Sequence, residues 1–212
     1  MIQVKICGLS TVDSMTAALD HGADMVGLVF FARSPRNVSI YAAAKLADQA
    51  RGKAKIVALV VDGTDEELKA IAREVQPHYF QFHGDEKPAR VAEIVKLTNT
   101  AVIKAIKVKD ASDIASAQAY RGIASLMLYD AKAPETLVNA LPGGNGLSFD
   151  WKLLANEQGQ FMLSGGLNPD NVARAIAMTK APIVDVSSGV ESSPGVKDAQ
   201  LIAKFIKAAK SA

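Results

Sequence analysis

Residues 4–10 read Val-Lys-Ile-Cys-Gly-Leu-Ser, and this segment near the amino terminus gives the first indication of the fold. Side chains alternate between the two faces of a strand, so residues 2–7 present one apolar and one polar face. The apolar face holds Ile2, Val4 and Ile6, and the polar face holds Gln3, Lys5 and Cys7. A two-faced strand that feeds a helix indicates a barrel interior that opens on a site.

Cys7 is the only cysteine of the chain, and it stands where this first strand ends. An unpaired cysteine is most often a small buried apolar residue. A strand end next to a glycine is also where an α/β protein exposes a reactive side chain. Both interpretations stay open on this segment alone.

Short apolar runs alternate with helical patterns over the whole chain. Strands are predicted at 2–7, 25–30, 55–61, 78–83, 101–107, 125–130, 160–164 and 183–187. Helices are predicted at 11–21, 40–51, 65–75, 86–97, 111–120, 150–156, 169–179 and 197–210. Capping boxes at 10–13 and 64–67, and an N-cap before a first-turn proline at Asn168-Pro169, support these helices. Eight βα units predict an α/β fold, a single (β/α)8 TIM barrel domain over 1–212, rather than a doubly wound sheet.

Composition excludes several classes of protein. The net charge of +2 comes from interspersed residues, with no basic block, so no nucleic-acid partner is expected. Apolar runs fall far short of the ~20 residues that span a bilayer, and no secretory signal is visible, so we expect no membrane partner and a cytoplasmic location. One cysteine rules out an internal disulfide, and His21, His78 and His83 lack ligand-like spacing, so no metal site is predicted.

Polar side chains gather at the predicted strand ends. Gln81 and His83 share a face of the fourth strand, Asp130 closes the sixth, and Asp185 and Ser187 share a face of the eighth. Active sites of such barrels lie at the carboxyl ends of the strands. A strand that leaves the core also tends to end on polar residues, so the grouping carries more weight than any one residue.

Two glycine-containing turns follow the last two strands, at 163–169 and 184–190. In such barrels these turns can aim backbone N–H groups at a single anion, and a phosphate is the usual occupant. Gly165, Gly166 and Gly189 suit close approach of a ligand to the backbone, although they also suit plain tight turns. The spacing favours a phosphorylated small-molecule substrate.

Three further residues indicate the chemistry. Arg36, in the loop after the second strand, can hold a carboxylate through two parallel hydrogen bonds, although an exposed loop arginine is often simply solvated. Cys7 and Asp130 lie on opposite sides of the predicted mouth. A thiolate with a lowered pKa and a carboxylic acid with a raised pKa would form a base and an acid for an isomerisation without a cofactor.

The segment 131–149 is long for a βα loop and rich in glycine and proline. Loops of this length are more often functional than idle. We interpret it as a mobile lid over the substrate, with a plain flexible insertion as the alternative.

Eight short motifs together carry a family resemblance. They are Lys-Ile-Cys-Gly (5–8), Ser-Pro-Arg (34–36), Gln-Phe-His-Gly-Asp (81–85), Asp-Ala-Lys (130–132), Gly-Gly-Asn-Gly (143–146), Phe-Asp-Trp (149–151), Ser-Gly-Gly-Leu (164–167) and Asp-Val-Ser-Ser-Gly-Val-Glu (185–191). In order and spacing the chain closely resembles the phosphoribosylanthranilate isomerase family of tryptophan biosynthesis. The resemblance implies a (β/α)8 barrel that performs the Amadori rearrangement of N-(5'-phosphoribosyl)anthranilate as a monomer or homodimer.

The resemblance also implies roles for individual residues. Asp130 would act as the general acid on the furanose ring oxygen, and Cys7 as the general base at the sugar C2. Arg36 would bind the anthranilate carboxylate, and Asp185 would help to position the anthranilate end. The other implied substrate-binding residues are His83, Gly165, Gly166, Ser187, Ser188 and Gly189, with the turn backbones holding the phosphate.

The chain departs from the family pattern in the glycine loop, which often reads Gly-Gly-Thr/Ser-Gly-Lys. Here Asn145 and Leu147 occupy the variable positions, so the glycines remain but the lysine does not.

Two alternatives stay open. Lys104 and Lys107 on the fifth strand leave room for a synthase or an aldolase-like Schiff-base enzyme, whereas the histidines do not suit a metal-dependent epimerase. A catalytically inactive barrel that only binds is the other alternative, and the retained pair of Cys7 and Asp130 argues against it.

Overall fold

Eight parallel strands close into a barrel in the computed structural model, which describes residues 1–134, 136 and 141–212. The strands are β1 (Gln3–Cys7), β2 (Met25–Phe30), β3 (Lys55–Val60), β4 (Tyr79–Phe82), β5 (Ala101–Val108), β6 (Leu126–Ala131), β7 (Phe161–Leu163) and β8 (Ile183–Val186). Each begins and ends within one residue of its predicted run. Neighbours in sequence pair with each other, and β8 pairs with β1, so the predicted barrel is confirmed.

Helices surround this barrel. The α-helices of the described residues are α1 (Val12–Asp20), α2 (Ile40–Ala50), α3 (Asp65–Glu74), α4 (Pro88–Thr98), α5 (Ala111–Ser116), α6 (Val172–Thr179) and α7 (Ala199–Lys210). Single 3₁₀ turns cover Ala117–Tyr120, Trp151–Leu154 and Ser188–Val190. A short antiparallel hairpin, β9 (Glu191–Ser193) with β10 (Val196–Lys197), follows β8.

Side-chain caps explain where two of the helices begin. The Thr64 hydroxyl accepts the backbone N–H of Glu67, whose carboxylate reaches back to the N–H of Thr64, so the predicted capping box of α3 is confirmed. The box predicted at 10–13 is shifted by one residue, because Thr11 caps α1 and Ser14 completes the box.

All three helix predictions in the last third of the chain need correction, and the last of them, 197–210, begins at Ala199. The predicted helix 150–156 is only one 3₁₀ turn, in which Trp151 and Leu154, three residues apart, both face the core. The helix predicted at 169–179 begins at Val172, because the Asn168 side chain accepts the N–H groups of Asp170 and Asn171 and closes a separate turn first.

The lower part of the barrel interior, towards the amino ends of the strands, is apolar, and the upper part, towards their carboxyl ends, is polar. Its lower part is filled by Met25, Val57, Ile103, Ala105, Leu126, Leu128, Met162 and Ile183, all from strands. A larger cluster fills the layer between the outer faces of the strands and the helices. On the inward positions nearer the carboxyl ends, polar groups replace the apolar ones, among them Gln81, Asp130 and Asp185. These apolar side chains therefore fill the barrel beneath a polar site at the rim, as is usual for this fold.

No helix within the described ranges combines the length and the apolar character needed to cross a membrane.

A buried ion pair fixes the loop that follows β4. The Lys104 ammonium lies 2.8 Å from Glu86 Oε2 and donates to the carbonyl oxygen of Gly84 at 2.9 Å. The other Glu86 oxygen accepts the N–H groups of Asp62 and Gly84, at 2.9 and 3.2 Å. Both side chains are 3% exposed, so each charge depends on the other for compensation.

We expect the Lys104→Met variant to lose about 3–5 kcal/mol of unfolding free energy, because it leaves a buried carboxylate without its cation. The matched control is Lys107→Met on the same strand, whose pair with Asp85 is solvent-exposed. It should cost less than about 1 kcal/mol. Urea denaturation of both variants measures the difference, and equal losses would contradict this account of the β4 loop.

Candidate active site

A cavity opens at the carboxyl ends of the strands. Active sites of this fold lie at this end of the barrel. Nine of the ten predicted site residues line it, namely Cys7, Arg36, His83, Asp130, Gly165, Gly166, Asp185, Ser187 and Ser188. The tenth, Gly189, lies behind the rim, against the backbone of Leu167. The barrel thus brings together side chains as distant in the chain as those of Cys7 and Ser188.

Cys7 and Asp130 stand on different walls of this cavity, with β7 and β8 between their strands. Cys7 is 3% exposed. Burial raises the pKa of its thiol, the Lys5 ammonium lowers it, and the Asp185 carboxylate raises it again, so that the net shift is upward. The thiol is therefore mainly protonated at neutral pH, whereas base catalysis favours a lowered pKa.

Asp185 is held by protein partners on both oxygens. Its Oδ1 lies 2.7 Å from the ammonium of Lys5, and its Oδ2 accepts the Ser164 hydroxyl at 3.2 Å. Lys5 is completely buried. Burial opposes the charged ammonium, but Asp185 and Cys7 together outweigh it, so the Lys5 pKa is raised. Lys5 was missed as a site residue, although its place on the polar face two positions before Cys7 was visible in the sequence.

Asp130 is anchored by the backbone and faces a histidine. Its Oδ1 accepts the N–H of Ala131 at 2.9 Å, and its Oδ2 lies 3.2 Å from His83 Nε2. The other ring nitrogen of His83 lies 3.1 Å from Gln81 Nε2. Which of the two groups donates this hydrogen bond depends on the tautomer of the ring. This hydrogen-bonded row orients the Asp130 carboxyl towards the cavity.

Arg36 is held by a glutamate that sequence reasoning did not assign. Its Nε and Nη2 lie 2.7 and 2.8 Å from the two oxygens of Glu191, and Nη2 also donates to the carbonyl of Gly144. Lys197 pairs with the same carboxylate at 2.6 Å and donates to the Ser187 carbonyl at 2.9 Å. The Nη1 nitrogen takes no part in this pairing, and among the described residues it has no hydrogen-bond partner.

The sequence contained only partial indications that Glu191 and Lys197 belong to the site. Glu191 closes one of the family motifs without a role of its own, and Lys197 was placed in the last helix. It lies instead on β10, because Asp198 caps α7 by accepting the N–H groups of Gln200 and Leu201. The Lys197 side chain is only 1% exposed, and its burial lowers the pKa of the ammonium.

The two glycine turns meet at the rim. Gly165 and Gly166 have φ angles of +87° and +65°, a region that favours glycine. A Cβ on Gly189 would overlap the backbone carbonyl oxygen of Leu167, so glycine lets the two turns touch. Among the described residues, no hydrogen bond is donated by the backbone N–H groups of Gly165, Gly166 or Gly189.

The glycine loop after β6 covers part of the mouth. A Cβ on Gly143 would lie 2.7 Å from Asp130 Oδ2 and 2.7 Å from His83 Nε2, and one on Gly144 would lie 2.8 Å from Arg36 Nη1. Asn145 pins this segment by bonding both the N–H and the carbonyl of residue 141, at 3.0 and 2.7 Å. Residues 135 and 137–140 of the predicted lid lie outside the described residues.

The alternatives left open by the sequence find less support in the site. Lys104 does not line the cavity, and its ammonium is bound by Glu86 and by backbone carbonyls, which leaves no free amine for a Schiff base. Lys107 pairs with the exposed Asp85. Within the described residues, no group of three or more His, Cys, Asp or Glu side chains is arranged to hold a metal ion.

We expect Gly189→Ala to weaken phosphate binding at least tenfold, because the new methyl group pushes the two turns apart and charge-assisted hydrogen bonds are worth about 1.5–3 kcal/mol each. The rise in thermal unfolding temperature with added inorganic phosphate measures this. The control is Gly63→Ala, whose Cβ would meet Leu68 at an ordinary 3.5 Å. Equal protection of both variants by phosphate would place the anion elsewhere.

Comparisons with known proteins identify the family of this chain. A sequence model of the family described as N-(5'phosphoribosyl)anthranilate (PRA) isomerase matches residues 4–208. An N-(5'-phosphoribosyl)anthranilate isomerase of Rhizobium johnstonii is 50% identical over 211 residues, which cover 99% of this chain and 94% of the relative.

Solved structures show the same likeness. A crystal structure of phosphoribosyl anthranilate isomerase in complex with reduced 1-(o-carboxyphenylamino)-1-deoxyribulose 5-phosphate has a TM-score of 0.86 and 33% identity, with full coverage of both chains, 100% each. A structure of monomers generated from the dimeric enzyme of Thermotoga maritima has a TM-score of 0.85 and 33% identity, again covering 100% of each chain. The chain belongs to the N-(5'-phosphoribosyl)anthranilate isomerase family.

Proposed function

We propose that this chain catalyses the Amadori rearrangement of N-(5'-phosphoribosyl)anthranilate to 1-(2-carboxyphenylamino)-1-deoxy-D-ribulose 5-phosphate, a step of L-tryptophan biosynthesis. The observation that carries the proposal is one cavity lined by a thiol, a carboxyl group, a guanidinium and two glycine turns. These groups match the two charged ends of the substrate and its reacting carbon atoms. The family membership supports the same reaction.

Asp130 acts first, as the general acid. It donates a proton to the furanose ring oxygen, the bond from that oxygen to C1 breaks, and the nitrogen lone pair forms the C=N bond of a protonated Schiff base. The hydrogen bond from the Ala131 N–H to Oδ1 and the contact of Oδ2 with His83 keep the carboxyl group oriented for this transfer.

Cys7 acts second, as the general base. Its thiolate removes the proton from C2, and the electron pair of that bond forms the C1=C2 double bond of an enolamine while the C=N electrons return to nitrogen. The enolamine then tautomerises, with C1 gaining a proton and the C2 hydroxyl losing one. The reaction is redox-neutral and its electrons move within the substrate, so we propose that it is an intramolecular aldose–ketose isomerisation that needs no cofactor.

The remaining site residues bind the substrate in this proposal. Arg36 uses its Nη1 edge to hold the anthranilate carboxylate, while Glu191 keeps the guanidinium in place. The backbone N–H groups of Gly165, Gly166, Ser188 and Gly189 hold the phosphate. His83, Asp185 and Ser187 shape the cavity between these two ends.

We further propose a cytoplasmic enzyme in which residues 1–212 form one catalytic barrel domain. It works as a monomer or homodimer, with no nucleic-acid or membrane partner. The glycine loop closes over the bound substrate, and the lack of room for a side chain at Gly143 beside Asp130 and at Gly144 beside Arg36 supports this role.

The direct test follows the anthranilate-ring fluorescence of freshly formed N-(5'-phosphoribosyl)anthranilate. Addition of the wild-type protein should cause a rapid, enzyme-dependent loss of this signal. No change, with inorganic phosphate still protecting the protein against unfolding, would indicate an inactive barrel or a different sugar phosphate and would overturn the proposal.

We expect Cys7→Ser to abolish turnover while binding of the reduced product analogue stays within a few-fold of wild type. The base acts on the transition state and contributes little to ground-state affinity. Turnover assays and fluorescence titration of the analogue measure the two effects. If both fall by the same factor, Cys7 is a binding residue and not the base.

We expect Arg36→Met to weaken binding of the product analogue by about 2 kcal/mol, the value of a charged hydrogen-bonded pair. That corresponds to roughly a thirtyfold rise in Kd. The control is Arg33→Met, since Arg33 is exposed in the same loop. Fluorescence titration compares the two variants, and an unchanged affinity for Arg36→Met would move the carboxylate site elsewhere.

A further inference from the structure

Lys5 is a buried cation beside the proposed base. Its side chain and that of Cys7 lie two positions apart on the inward face of β1, and both point to the same place on the neighbouring strand. A Cβ on Gly27 would lie 2.8 Å from Cys7 Sγ and 3.2 Å from Lys5 Nζ. The thiol and the ammonium are therefore no more than about 6 Å apart, within the range where opposite charges stabilise one another.

The position of the ammonium is fixed from the other side. β8 pairs with β1 in a register that sets Asp185 beside Lys5, and the two side chains form a 2.7 Å ion pair. The Ser164 hydroxyl holds the second Asp185 oxygen at 3.2 Å. Neither the Lys5 ammonium nor the Asp185 carboxylate is exposed to water. Water and salt therefore screen the electric field of the ammonium at Cys7 only weakly.

Stability alone does not require this pair. Burying two charges costs desolvation free energy, and well-packed apolar residues of similar size are often at least as stabilising. The inward positions just below, at Met25, Val57 and Ile183, are apolar in this barrel. The Lys5–Asp185 ion pair lies nearer the carboxyl ends of the strands, beside the Cys7 thiol. This position indicates a role in catalysis.

We propose that Lys5 is a positioning residue for catalysis, which holds a positive charge against Cys7, is itself held by Asp185 and Ser164, and stabilises the thiolate that removes the C2 proton. The proposal deepens the base role of Cys7 and rests on it. It assigns to Asp185 the task of keeping the Lys5 ammonium charged and in place. It also explains Gly27, since a side chain there would occupy the space where thiol and ammonium meet.

Several charged groups bear on the thiol. Burial raises the Cys7 pKa, Lys5 counters it more strongly than Asp185 adds to it, and Lys197 gives a smaller lowering. Removal of Lys5 should therefore raise the thiol pKa further, even when Asp185 is neutralised at the same time. This comparison separates the loss of the Lys5 charge from the effect of leaving the Asp185 carboxylate unpaired.

The test uses the fact that Cys7 is the only cysteine of the chain. The absorbance of the thiolate at 240 nm, titrated with pH and corrected with the Cys7→Ser protein, reports the ionisation of this one group without any substrate. The variants are Lys5→Met, Lys5→Arg and the double variant Lys5→Met/Asp185→Asn, which removes both buried charges together. Far-UV circular dichroism shows which of them fold.

We expect Lys5→Met to lower the acid ionisation constant of the Cys7 thiol about tenfold, so that the rise in absorbance at 240 nm moves to higher pH. The double variant should show a smaller decrease in the same direction, and Lys5→Arg should stay near wild type because the charge is kept. If Lys5→Met does not fold, the double variant decides. A wild-type titration curve in the folded double variant would overturn the proposal.

Turnover separates this inference from the proposed function. Folded Lys5→Met should lose kcat in proportion to its thiolate population. If the titration is unchanged, Lys5 has no such role and the isomerase reaction stands on its own test. If wild type does not turn over N-(5'-phosphoribosyl)anthranilate, the reaction is wrong whatever the titration shows.

Discussion

The parallel pairing of β8 with β1 is the interaction on which the site depends, because it closes the sheet. Closure brings the carboxyl ends of all eight strands to one rim and sets Asp185 directly beside Lys5. The apolar side chains of the lower barrel interior fill the space beneath and exclude water from it. Buried charges at the rim are stable only because this frame keeps their partners in register.

Each proposed reacting or binding group has a neighbour that fixes it. The Lys5 ammonium lies beside Cys7, His83 is hydrogen-bonded to Asp130, and Glu191 forms an ion pair with one edge of Arg36. These pairs place charge and hydrogen-bonding groups before a substrate arrives, which lowers the cost of organising the site during the reaction. Burial raises the pKa of the Cys7 thiol, and the Lys5 ammonium counters part of that rise.

The sequence predicted the strands closely, since an inward-facing strand in a barrel shows itself in side-chain alternation and β-branched residues. It also located most of the cavity lining, because parallel strands all end at the same rim. Glu191 was not assigned a role, since its partner Arg36 is 155 positions away and only the folded chain brings them together. The direction of the Cys7 pKa shift likewise depends on burial and on Lys5, which no local pattern reveals.

The central claim is that Cys7 removes the C2 proton after Asp130 has opened the ring. Single-turnover rapid-quench experiments with N-(5'-phosphoribosyl)anthranilate deuterated at the sugar C2 test it most directly. The account predicts a slower reaction of the deuterated substrate with wild type, and full retention of the label when Cys7→Ser or Asp130→Asn is used. Loss of deuterium at the wild-type rate in Cys7→Ser would contradict the account.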